Sequence, residues 1–161
     1  MVLAVDHAGI VGADGPTHSG QFAFSTLRHI PGLTILAPSD AGELGEMLAW
    51  AIASRRPCAI AYPKGAAVPA RASGAAQPLS HGRSRRLREG NDVAIFAAGA
   101  MAGVAEAAAD LLRRKGLGAA VIDARFIKPL DREAILAAAR KPGRIVTIEE
   151  NALEEIGRAH V

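Results

Sequence analysis

A single cysteine among 161 residues rules out a disulfide within the chain, and nothing in the spacing of Cys and His resembles a zinc site. That cysteine, Cys58, sits in the apolar run Cys58-Ala59-Ile60-Ala61-Tyr62 and reads as a small buried hydrophobe, a usage that fits a reducing cytosol. Aromatic residues are scarce at 4%, so the apolar half of the chain is built mostly of Ala, Val, Ile and Leu. Such a mixture suits a parallel sheet covered by helices better than an aromatic-rich sandwich. No apolar run reaches the roughly 18 residues that a membrane helix requires, and no signal peptide is recognisable, so a cytoplasmic protein without a membrane partner is expected. The net charge of +3 is local: residues 71–90 carry Arg71, Arg83, Arg85, Arg86 and Arg88 against Glu89. A basic cluster without interleaved aromatics reads as a solvated or inter-domain surface, and nucleic acid is not an expected partner.

The pattern along the chain is α/β. Val2–Val5 is a continuous apolar run and reads as a strand buried on both faces. The glycines at 9, 12, 15 and 20 mark a loop, Phe22–His29 a short helix and Leu33–Leu36 a second strand. Ser39-Asp40 precedes an amphipathic helix in which Leu44, Met47, Leu48, Ala51 and Ile52 share a face, with Glu43 and Glu46 on the wetter side. Cys58–Tyr62 is the next strand. The composition then dissolves into Ala, Pro, Gly, Ser and Gln, as expected of a linker over residues 67–80.

A second series follows: a rim strand within His81–Arg88, a strand at Val93–Ala97, a helix over Met101–Lys115, a strand at Ala119–Ala124, a helix capped by Asp131, and a strand at Ile145–Ile148. Strands alternating with helices imply mainly parallel sheets. The chain opens on an apolar strand and closes after only about three core strands of the second sheet, so both ends read as cut, with an exposed sheet edge expected. The last six residues, 156–161, resemble a tail encoded by a sequencing adapter rather than native sequence.

The segment from Asp6 to Gly20 places two imidazoles and two carboxylates on a glycine-rich loop after a strand, where ligands gather in open α/β sheets. Histidine exchanges protons near neutral pH, and Asp orients it or binds a hydroxyl. From chemistry alone, a glycine-rich turn of satisfied polar side chains is an equal reading. Lys64, in Tyr62-Pro63-Lys64-Gly65, can offer a cation to a phosphate or carboxylate, or simply be a surface lysine at a turn. Asp40 reads as a helix cap, Lys128-Pro129-Leu130-Asp131 as a turn into a helix, and Glu149-Glu150-Asn151 as a candidate domain contact.

These residues also carry a resemblance. The run Gly12-Ala13-Asp14-Gly15-Pro16-Thr17-His18-Ser19-Gly20 is similar to a signature of 1-deoxy-D-xylulose-5-phosphate synthases. So, in the same order, are Ala37-Pro38-Ser39-Asp40, Tyr62-Pro63-Lys64-Gly65, Asp123 through Asp131, and Val146 through Ala152. The resemblance implies a transketolase-like enzyme that uses thiamine diphosphate and Mg2+ to join a two-carbon fragment of pyruvate to glyceraldehyde 3-phosphate. Residues 1–66 would be the later part of a pyrimidine-binding domain and residues 81–155 a shortened transketolase C-terminal domain.

The roles implied are also specific. His18 and Asp14 match the family's catalytic residues, His18 for proton transfer and Asp14 for acceptor hydroxyls. His7 and Lys64 stand where the family usually has phosphate-gripping arginines, a departure that implies weaker phosphate binding or another acceptor. No cofactor or metal ligand is expected within these residues, because the diphosphate- and metal-binding domain and the activating glutamate would lie upstream. A homodimer is expected of the full-length protein and no activity of this piece alone. Alternatives are a transketolase, the β subunit of a 2-oxo acid dehydrogenase, or a non-catalytic binding remnant.

Overall fold

Short apolar runs separated by a glycine-rich loop and a helix come together side by side. In the computed structural model, which describes residues 1–12, 14–66, 68–70 and 77–152, β1 (Val2–Val5) and β2 (Thr34–Leu36) flank β3 (Cys58–Ala61), both in parallel register. The apolar residues of β2 and β3 are almost fully buried. β1, read from sequence as buried on both faces, is instead the outer strand and only partly buried, because among the described residues β3 is its only sheet neighbour. Between these strands lie α1 (Ala23–Arg28) and α2 (Ala41–Ser54). The expected cap of α2 is present: Asp40 Oδ1 accepts from the Glu43 N–H at 2.9 Å.

The second series contains β4 (Arg85–Arg88), β5 (Val93–Ala97), α3 (Met101–Arg114), β6 (Ala119–Asp123), β7 (Phe126–Lys128), α4 (Arg132–Arg140) and β8 (Ile145–Ile148). Its sheet runs β4-β6-β5-β8, with β5 parallel to both β6 and β8, and β4 antiparallel on the rim. Small side chains set this packing. Ala102, Ala105 and Ala109 form one stripe of α3 and lie buried against Ile95 and Val121. Asp131 caps α4, accepting from Ala134 N at 3.1 Å. β8 forms the outer edge, with Ile145 and Val146 exposed.

The two sheets do not divide the chain cleanly at the proposed linker. β7 belongs to the second series in sequence yet adds antiparallel to β2, giving the first sheet the order β1-β3-β2-β7. From the sequence, Lys128–Asp131 reads as a turn and the residues just before it carry no strand signal. Three residues are too few to show a period, and only tertiary pairing makes them a strand. Alternation then sends Phe126 and Ile127 into opposite cores of the first sheet: Phe126 packs with Leu36, Met47 and Ile60, and Ile127 with Leu33 and Ile35. Trp50 of α2 meets Phe126 edge-on at 5.4 Å. Of the expected linker, residues 67 and 71–76 lie outside the described residues, as does the expected tail 156–161.

A buried ionic cluster accompanies this strand, and it corrects the reading of α2. Glu43, expected on the wetter face, is 2% exposed, while Leu48 and Ile52 are 47% and 66% exposed. The helix is rotated so that Glu43, Met47 and Ala51 face inward. Glu43 is drawn in by partners: Arg125 Nε donates to its Oε1 at 2.6 Å, Arg85 Nη2 lies 3.2 Å away, and Ser39 donates from Oγ and N at 2.8 and 3.0 Å. Asp123 accepts from Arg85 Nη2 at 3.1 Å and from the Arg125 N–H at 3.1 Å. Burial opposes the charge on Glu43, but the Ser39 N–H and the two guanidiniums outweigh it and hold its carboxyl below the usual range. Asp123 goes the other way: burial first, then the Glu43 carboxylate, push it up to about 7.

Two expectations follow. Phe126→Ala removes the largest side chain of β7 from a closed core and is expected to cost about 3–5 kcal/mol, measured by denaturant unfolding of the whole chain. An unfolded aspartate titrates near 4, so Asp123 binds its proton more tightly when folded. Its contribution to stability is complete below about pH 4 and is lost as pH rises through about 7. Glu43, depressed when folded, contributes in the opposite sense and below that window. Asp123→Asn should therefore flatten the fall in melting temperature between about pH 5 and 7; an unchanged slope would show that Asp123 does not titrate there.

Candidate functional site

The loop after β1 is folded back on its own strand end. Ala8 and Gly9 form bridges with Gly20, Ser19 Oγ donates to Gly9 O at 3.1 Å, and Ala8 N donates to Tyr62 O at 3.1 Å. Gly20 has no alternative at this crossing, since a Cβ there would stand 2.1 Å from His7 O. His7 itself takes a left-handed backbone, φ 58°, which turns the chain at the strand end.

The segment after β8 supports the same loop from the second sheet. Phe24 N donates to Asn151 Oδ1 at 3.2 Å, Ala152 N donates to Gln21 O at 2.8 Å, and the Glu150 side chain packs on Gly9. Burial raises the Glu150 carboxyl above its ordinary range. The contact expected for Glu149-Glu150-Asn151 is thus present, and its place beside the loop was not legible in the sequence.

Three of the four residues singled out from sequence meet here. His7 presents Nδ1 to Asp6 Oδ2 at 3.0 Å and Nε2 to Asp14 Oδ2 at 3.2 Å. Lys64 Nζ, arriving after β3, donates to the same Asp14 oxygen. The Lys64 hydrogen bond first, and His7 with it, hold the Asp14 carboxyl below the usual carboxylate range. The fourth residue, His18, is not brought into this group. It ends a single 3-10 turn, Pro16–His18, is exposed, and lies 3.2 Å from its neighbour Thr17 Oγ1 through Nδ1. Asp6 was part of the segment noted in the sequence but had no role there; its position at the end of a strand, next to a histidine, was the available signal.

Beside this group is an open cleft of about 380 Å³. Asp6, Ser39, Asp40, Tyr62 and Lys64 line it from the carboxyl ends of the three parallel strands, and Ala100 closes it from the start of α3. Ligands of open α/β sheets collect in this position. Ser39 joins the cleft wall to the buried cluster, because its hydroxyl bonds Glu43 and accepts from Arg85 at 3.2 Å. The arrangement offers one ammonium, one imidazole and carboxylate acceptors at one side of a largely apolar cleft. Among the described residues no group of three or more His, Cys, Asp or Glu side chains is placed to hold a metal ion.

Lys64→Met removes the strongest influence on Asp14. Its carboxyl titration, followed by 13C NMR, is expected to move up toward the ordinary aspartate range. An unmoved titration would mean that Lys64 is not the principal partner of Asp14 in solution.

Comparison with known proteins places this geometry. Residues 1–69 match the transketolase pyrimidine-binding domain and residues 82–156 the transketolase C-terminal domain. The chain is 50% identical over 153 residues to a 1-deoxy-D-xylulose-5-phosphate synthase of Heliobacterium modesticaldum, and 48% identical to one of Syntrophomonas wolfei. Each match covers 95% of this chain and 24% of the relative, so the chain spans about a quarter of the length of these curated proteins. Among solved structures, a split-gene transketolase described as an inactive β4 tetramer superposes with a TM-score of 0.84 at 32% identity, over 96% of this chain and 49% of that one. A transketolase of Campylobacter jejuni superposes with a TM-score of 0.77 over 99% of this chain and 26% of that one; at 22% identity it speaks to the fold alone. With both domain types in the same order, and with synthase relatives along nearly its whole length, the chain belongs to the transketolase-like, thiamine-diphosphate-dependent family to which the 1-deoxy-D-xylulose-5-phosphate synthases belong.

Proposed function

We propose that these residues form one wall of the active site of a 1-deoxy-D-xylulose-5-phosphate synthase, which condenses pyruvate with glyceraldehyde 3-phosphate and releases CO2. The observation that supports this reading most is the meeting of His7, Asp14 and Lys64 beside a cleft at the strand ends, in a chain half identical to such synthases. Thiamine diphosphate, when bound, supplies the carbanion chemistry. As the resemblance implies, the ligands of its Mg2+ and diphosphate would come from outside this sequence, and no step is derived through them.

The tasks left to this chain are binding and proton handling. Lys64 and His7 would meet the acceptor's phosphate as donors, with less directional grip than paired guanidiniums. Asp14 would accept from an acceptor hydroxyl. His18 would exchange a proton with the reacting oxygen, a task that suits an imidazole near neutral pH. Similarity to the split-gene transketolase favours a second reading, in which the cofactor's other ligands belong to a separate subunit. A homodimer and a cytoplasmic location remain part of the proposal; among the described residues no helix is long and apolar enough to cross a membrane.

A chimera tests the proposal. The matching quarter of the Heliobacterium synthase is replaced by residues 1–152, and pyruvate- and glyceraldehyde 3-phosphate-dependent product formation is measured. Retained turnover is expected, falling by about 10²–10⁴-fold on His18→Ala. A folded chimera that binds cofactor but forms no product from this pair of substrates counts against the reading.

A further inference from the structure

A buried donor at the junction of the two sheets has no protein partner. Asn151, three residues beyond β8, accepts the Phe24 N–H through Oδ1 at 3.2 Å. The planar carboxamide is thereby oriented, and its Nδ2 is directed elsewhere. That nitrogen is buried and, among the described residues, meets no acceptor. Buried donors in folded proteins are nearly always paired, and an ordered water serves where no protein group reaches. Beside Asn151 lies a cavity of about 20 Å³, bounded by Gly9 and Gly20 of the loop, Ala23 of α1, Ala98 and Gly99 before α3, and Glu150. Small residues leave this space. Among the described residues around it, Glu150 and Asn151 alone carry polar side-chain atoms.

The Glu150 carboxyl lies on the loop side of the cavity. Its Oε2 would stand 2.9 Å from a Cβ at position 9, so the place is open because that residue is Gly9. Among the described residues no donor reaches this carboxyl, and burial is what raises its titration. A donor without an acceptor and an acceptor without a donor thus border one small cavity.

We propose that a single water molecule is a built-in part of this junction: it accepts from Asn151 Nδ2 and donates to the Glu150 carboxyl, bridging the end of the second sheet to the loop of residues 9–20. The volume suits one water, which needs about 10–15 Å³, and excludes anything larger. The water's second hydrogen can turn to the carbonyl of Gly9 or Gly20. Each already accepts one bond, from Ser19 Oγ at 3.1 Å and Ala23 N at 2.9 Å, and keeps a second lone pair. With the water in place both ends of the carboxamide are satisfied, and the Phe24 N–H keeps its acceptor. Without it, Asn151 gains by swinging Nδ2 toward solvent, which uncovers that N–H. The bridge stands on geometry alone; that it also positions the loop carrying Asp14 and His18 for catalysis rests on the functional reading above.

The test is a water-selective NOE measurement on the 15N-labelled 161-residue chain. A direct NOE of the sign given by a long-lived water is expected at the Asn151 side-chain amide, and its absence refutes the bridge. Glu150→Gln keeps an acceptor oxygen but has no exchanging carboxyl proton, and Ser19→Ala removes the nearby hydroxyl; the NOE should survive both. Its loss in either variant would mean relay through that group, and the water would be struck out. Glu150→Leu removes the acceptor and fills the cavity. It should abolish the NOE and speed hydrogen exchange at the Phe24 amide about tenfold, the worth of roughly one net hydrogen bond. An NOE that persists in Glu150→Leu overturns the proposal, and the result on the unaltered chain stands even where that variant does not fold. An inactive chimera beside an intact NOE would sink the functional reading alone. An active chimera beside a chain with no NOE would sink the bridge alone.

Discussion

The contact on which the most depends is the buried pairing of Arg125 with Glu43. It joins the connection between β6 and β7 to the first turn of α2, and so ties one sheet to the other. Both side chains are almost completely removed from water. Removing either partner would strand a charge in the interior, at a cost of several kcal/mol, so the two residues must be kept or lost together. Arg125 also takes a left-handed backbone, φ 57°, between Asp123 and Phe126. That turn aims the guanidinium at α2 while β7 departs for the other sheet. The same cluster reaches the cleft wall through Ser39, so the site's geometry inherits whatever registry the ion pairs impose.

The basic stretch near the start of the second sheet belongs to the same logic. Arg83 meets Asp131 and Glu133, Arg85 meets Glu43 and Asp123, Arg86 meets Glu89, and Arg88 meets Asp110. A run that appears in the sequence as excess positive charge is, in the fold, a row of donors each facing a carboxylate, local for Arg86 and brought from elsewhere for Arg83, Arg85 and Arg88. The exposed members contribute little individually. Arg85 differs, because its partners are buried and serve the inter-sheet contact. Charge counted along the chain and charge felt at a surface are therefore different quantities here.

What the sequence disclosed follows the range of each signal. Continuous apolar runs and the Asp caps of α2 and α4 are local, and those elements appear where their residues predict them. Glu43 was misplaced because amphipathic spacing asks which residues repel water, while its burial is decided by Arg125, 82 residues away. Leu48 and Ile52 were misplaced by the same rotation. β7 was missed because three residues hold no period, and its partner strand lies about 90 residues earlier in the chain. Within the site, the strand-end position of Asp6 and His7 and the turn at Lys64 were legible as motifs. Their convergence on Asp14 was not, because it depends on β1 and β3 lying side by side.

The convergence has a physical origin in the parallel register. Val5 pairs with Ala61, so the residues that leave the two strands, Asp6-His7 and Tyr62-Pro63-Lys64, emerge together at one edge. The loop that carries Asp14 returns to the same edge because Gly20 can pass against His7 without a side chain. Three short stretches, far apart in sequence, are thereby confined to one end of the sheet before any side-chain interaction is counted. The ion pairs then select among the arrangements that the backbone permits. Asp14 is the acceptor on which His7 and Lys64 converge, so the contact that holds the three stretches together beside the cleft is supplied by the loop and not by either strand.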